Sequence, residues 1–251
     1  MKGTKGQISK VIAGSSAKSQ IEAIASFIDE NLKFCKQHVH IFSHTGDAVL
    51  PETIPDGEQV LSVKNHALYL ARITYQVVLL DPPKNDSIEF LWPIQIELLK
   101  KHLIIRFVVL EKNIASYFDR EIMLRGKSLS EEVVTSSVLT DGTLSASDLN
   151  KGIKALWAGD LIDAFRIKYK KPGSTNTQNM DEEQGLKKID PKVYEELQKF
   201  PLYMSVFSAL GALSDVGQFS ADPSKGFIGF TKYSKDEGSG DELIRQILEN
   251  N

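Results

Sequence analysis

Three of the chain's five histidines fall in one short run, His38-Val39-His40-Ile41-Phe42-Ser43-His44-Thr45-Gly46-Asp47. On an extended strand, residues 38, 40 and 44 project from one face, because successive side chains alternate across the pleat. Alternating imidazoles suit a zinc ion, and Asp47, placed in a following turn by Gly46, would add an oxygen donor. The implied chemistry is metal-assisted hydrolysis by a bound water. Against it, His66 and His102 bring no companion ligand motif, and half-buried histidines on a strand are the commoner outcome of such a pattern. A metal-dependent hydrolase built on His38, His40, His44 and Asp47 is therefore the alternative function.

The cations form the second group. Lys2, Lys5, Lys10 and Lys18 occupy a segment without an acidic residue, and Arg166, Lys168, Lys170 and Lys171 follow one another around Tyr169. Such groups neutralise phosphates, and an interleaved ring stacks on a base. Other candidate motifs fail on spacing. Gly126-Lys127-Ser128 ends like a phosphate-binding loop, but Glu121 stands where the first glycine is required. Glu111 and Lys112 are adjacent and would point apart on a strand, so with Asp81 they do not form a nuclease-type carboxylate–lysine set. Cys35 is three residues from His38 and reads as a small apolar residue at a helix end.

Bulk properties restrict the classes further. The net charge is -3 and the sequence pI about 6.0, so no global field attracts polyanions. Apolar residues are 41% and charged residues 25% of the chain, the profile of a folded protein. The single cysteine excludes an intrachain disulfide. The longest apolar run, 103–110, is interrupted by Arg106 and is too short to span a bilayer. We expect a cytoplasmic protein without a membrane partner or cofactor.

These residues have to be positioned by elements read from periodicity. Ile21, Ile24, Ala25, Ile28 and Leu32 recur at helical spacing, whereas residues 38–80 alternate or cluster briefly between turn signals, as short strands do. Pro93 suits a first helical turn, and the pattern from Ile94 to Ile122 is compatible with one long helix; the run 103–110 equally fits a buried strand. Leu149, Ile153, Leu156, Trp157, Leu161, Ala164 and Phe165 predict a helix capped by Ser147 and closed by Pro172-Gly173. A helix opens at Asp190-Pro191, a short strand covers 226–233, and a terminal helix covers 241–248.

The expected fold is thus α+β and helix-rich, with short strands mainly in residues 38–80 and a predominantly helical remainder. The expected divisions are a flexible basic arm (1–19), a main domain (20–171), a linker or mobile loop (172–188) and a helical C-terminal subdomain (189–251). The expected function is non-enzymatic: an intracellular binding or assembly protein that self-associates or takes a protein partner and contacts nucleic acid through its basic elements. The apolar stretch Leu202–Leu213 supplies interface-type residues for that role.

Overall fold

The computed structural model describes residues 36–54, 57–80, 83–109, 142–230 and 239–251. In chain order these form β1 (Lys36–His44), β2 (Thr53–Ile54), β3 (Gly57–Val63), β4 (His66–Leu80), β5 (Pro83–Leu98), β6 (His102–Val109), β7 (Leu144–Ala146), α1 (Asn150–Ala158), β8 (Ile162–Tyr169), β9 (Gln178–Asp181), α2 (Leu186–Ile189), α3 (Pro191–Leu197), β10 (Ser205–Ala209), β11 (Gln218–Asp222), β12 (Phe227–Phe230) and α4 (Ser239–Glu249). The helix-rich expectation is overturned, because antiparallel β-sheet dominates. Residues 94–98 belong to β5 and 103–109 to β6, so the long-helix reading fails over these residues and the strand reading of the run from 103 holds. The helix beginning near 149 stops at Ala158, and 162–169 is a strand. The strand expected across 73–79, the short strand after Gly226, the helix after Asp190 and the terminal helix are all present.

The chain divides into two compact units. Among the described residues the first comprises 36–37, 46–54, 57–80, 83–99, 105–109 and 142, the second 38–45, 100–104, 143–230 and 239–251. In the first, β2, β3, β4, β5 and the far half of β6 follow one another. β4 and β5 form one hairpin, registered from His66↔Glu97 to Leu80↔Pro83. Near its base Ala67, Tyr69 and Ala71 on β4 and Ile94 and Ile96 on β5 are buried, the period-2 signature of a half-buried ladder. The Tyr69 hydroxyl donates to the Pro51 carbonyl and accepts from Gln59 Nε2 at 3.2 Å, so a buried phenol is satisfied. Arg106 donates to Glu97 at 2.8 Å, and Glu97 also lies 3.2 Å from His66 Nε2, which explains how a nearly buried guanidinium is tolerated inside a strand.

In the second unit the strand order is the start of β6, then β1, β12, β11, β10, β8 and β9, with β7 paired to β1. Opposite residues share a face, so Phe207, Phe219 and Phe230 lie on one side through the registers Phe207↔Phe219 and Phe219↔Phe230. The helices gather on that side. Trp157 of α1 meets Phe207 edge-on at 6.2 Å and Tyr194 of α3 at 4.8 Å, while Gly240 of α4 faces the Phe230 ring. Leu243, Ile244 and Ile247 of α4 and Ile153 and Leu156 of α1 complete this core. Leu202, Phe207, Ala209 and Leu213 are buried in it as well, which accounts for most of the apolar stretch 202–213; Met204 and Leu210 stay exposed.

Candidate functional site

The histidine-dense segment is a strand, as its alternation implies. Val39 and Ile41 are buried, and His38 and His40 are half-buried on the other face of β1. Both imidazoles pack against one phenyl ring: His38 meets Phe227 edge-on at 4.9 Å and His40 meets it at 5.4 Å, with Phe42 stacked beyond His40 at 6.3 Å. Asp47 follows Gly46 in an exposed turn. Among the described residues no three His, Cys, Asp or Glu side chains gather to hold a metal ion.

At the other end of β1 a hydroxyl–imidazole chain joins three segments. Ser43 Oγ lies 2.8 Å from Ser147 Oγ, and Ser147 Oγ lies 3.4 Å from His102 Nδ1. Ser147, expected to cap α1, is turned into this network, and its amide donates to the Ile41 carbonyl at 3.0 Å. Burial lowers the His102 pKa, and the neighbouring His44 and Lys101 lower it further, so the ring is neutral at pH 7. A serine beside a neutral imidazole is the start of a nucleophile–base pair. Ser147, however, is only 1% exposed, so no carbonyl carbon can approach its oxygen, and the group acts as a satisfied polar tie. Thr45 and Thr143 form a separate, exposed hydroxyl pair at 3.0 Å.

The cations expected at a helix end sit on and just after a strand. β8 places Arg166 and Lys168 on the sheet face opposite to the helices, because Arg166 registers with Val206 of β10 and Val206 with Ser220 of β11, both away from Phe207 and Phe219. Across the other edge Arg166 stands beside Asp181 and Lys168 beside Asn179. Arg166 is ion-paired with Asp181, both side chains being 63% exposed, a pair that contributes little to stability. Lys171 pairs with Glu196 at 3.3 Å and lies 6.0 Å from the centre of the Phe200 ring. Lys170 is half-buried after the strand end. Tyr169, the ring expected to stack on a base, is buried and stacked on Phe200. Lys2, Lys5, Lys10, Lys18, Cys35, Asp81, Glu111, Lys112 and the 126–128 loop lie outside the described residues, as does the helix expected near 21–32.

A second buried polar centre holds α1 to the loop that carries α2. Asp163, 9% exposed, accepts at Oδ1 from Trp157 Nε1 (2.9 Å), the Ala164 amide (2.7 Å) and the Lys187 amide (3.1 Å). Lys187 Nζ in turn donates to the carbonyls of Trp157 and Ala158 and to Asp160, closing the carboxyl end of α1 with a cation. Every polar atom named here is engaged within the fold, which marks the centre as structural.

Sequence reasoning missed Phe42 and Phe227 as partners of the histidines. Alternation in His38-x-His40-x-Phe42 was the available signal on β1; nothing local marks Phe227, which is brought in by the pairing of distant strands. No protein-family model matches the chain, and no curated protein is similar to it. No helix among the described residues is long and apolar enough to cross a membrane.

Proposed function

We propose that the chain is a non-enzymatic binding protein that contacts the phosphates of nucleic acid through cations displayed on β8. The observation that carries this reading is the position of Arg166 and Lys168 on the face of the second unit's sheet opposite to α1, α3 and α4. A pleated face offers fixed side-chain spacing, and cations standing on it meet a backbone of regularly spaced negative charge without rearrangement. The exposed Arg166–Asp181 pair exchanges one anion for another at small cost. Lys170 and Lys171 continue the positive run beyond the strand, and the lysines of segment 1–19 add charge in sequence terms.

The test is fluorescence anisotropy of a labelled oligonucleotide across a salt series. Affinity is expected to fall steeply with salt, and Lys168→Glu to weaken binding to all sequences alike while reducing the salt slope by about 1. Binding that is absent at about 50 mM salt, or indifferent to salt, removes the reading.

A further inference from the structure

The face that carries Arg166 and Lys168 also carries rings. From β8 the registers run Arg166↔Val206, Val206↔Ser220 and Ser220↔Gly229, so Gly229 and its neighbour-but-one Phe227 share the face with the cations. His38 and His40 flank Phe227, and Phe42 lies next to His40. All four rings are half-buried. Four strand spacings, or about 19 Å, separate β8 from β1 in the order β8, β10, β11, β12, β1.

Gly229 explains the seating of the central ring. A Cβ at this position would stand 3.1 Å from Phe227 Cζ and 2.6 Å from Ser220 Oγ. The phenyl group therefore leans along β12 into space that any other residue would occupy. A glycine inside a strand weakens it by entropy and lost packing. Here its absence of side chain lets a ring lie against the sheet, between two imidazoles.

The geometry points to the Phe227–His38–His40 cluster as a stacking site for unpaired bases, so that the face takes single-stranded nucleic acid in preference to duplex. This rests on the phosphate-binding reading above. Bases in a duplex present only their edges, whereas a splayed single strand presents π faces that stack on aromatic side chains irrespective of sequence. The cations of β8 supply the complementary charge at a distance that a short oligonucleotide spans; Ser220 and Val206 between them are uncharged, and the carboxylate that registers opposite Phe227, Asp222, is buried and lies 3.7 Å from Lys225 Nζ.

The experiment compares a labelled single-stranded oligonucleotide carrying 2-aminopurine with its blunt duplex, using the full-length chain. Single strand is expected to bind at least about tenfold more tightly than duplex, with quenching of the 2-aminopurine. Phe227→Ala should lose about five- to hundredfold in single-strand affinity and abolish the quench, with duplex affinity and salt slope unchanged. Phe227→Leu retains an apolar side chain but no π face; it should lose the quench while keeping the wild-type circular dichroism spectrum. Salt-dependent binding that does not distinguish single strand from duplex, or a Phe227→Leu protein that binds and quenches like wild type, overturns the stacking site and leaves phosphate contact standing. Failure of both nucleic acids to bind in a salt-dependent way removes phosphate contact itself, and the stacking site with it.

Discussion

His102 stands between a hydroxyl and two potential cations, and its titration follows from that position. The groups that bear on the imidazole are His44 from β1, Lys101 beside it on its own segment, and the Ser147 hydroxyl from the segment after β7. Its folded pKa lies below the ordinary 6.5, chiefly through burial. Between the two values the unfolded chain binds more protons than the folded one, so stability is complete above about 6.5 and declines as pH falls toward the folded value. The urea midpoint is therefore expected to drop between pH 7.5 and 5.5, and His102→Gln to make that drop shallower. An unchanged pH profile in the variant would mean that His102 titrates as it does in the unfolded chain. Of the histidines, sequence spacing showed that His38 and His40 share a face; their partner Phe227 and the role of His102 depend on contacts between residues far apart in the chain.

Elements that follow one periodicity were legible, and those whose pattern was interrupted or absent were not. β6 is buried at every position from Leu103 to Phe107, so it offers no alternation to read. β8 alternates, but its pairing with β10 shifts between Val206 and Phe207, and the irregularity breaks the period in the middle of the strand. Its apolar residues then continue the helical stripe of α1 by coincidence. The break lies at Gly159-Asp160, where Asp160 adopts a left-handed conformation, φ 58°, that ends the helix. In β5 the alternation Ile94, Ile96, Leu98 was visible, and Pro93 diverted it toward a helix start, although proline also occurs within strands where its missing N–H is not needed. The packing of α1 on α4 gives a sharp prediction. A Cβ at Gly152 would lie 2.1 Å from the Ile247 carbonyl oxygen, so Gly152→Ala is expected to destabilise by about 1–3 kcal/mol despite alanine's better helix propensity. At Gly159 the same atom meets the Ala155 carbonyl at 3.4 Å and the Leu156 carbonyl at 3.8 Å, ordinary contacts, and Gly159→Ala should stay within about 0.5 kcal/mol of wild type. Chemical denaturation of the two variants side by side measures the difference.

The whole molecule carries a net charge of -3, so any affinity for a polyanion has to come from local arrangement. If the lysines at 2, 5, 10 and 18 join Arg166 and Lys168 of β8 on phosphates, deleting residues 1–19 should reduce the salt slope for a single-stranded oligonucleotide by up to about 3; an unchanged slope assigns the contacts to the second unit alone. The order of strands in that unit has a temporal consequence. Ile41 donates its amide to the Gly226 carbonyl at 2.7 Å, so β1, which lies between β6 and β12, meets its neighbour on the β12 side only after about 185 further residues have been made. At a ribosomal pace of about 5–20 residues per second this is a wait of roughly 10–40 s. Throughout it, the edge of β1 that β12 will cover has no partner, although β6 and β7 are made before β12. Slowing elongation would lengthen the interval in which that open edge can pair with another chain.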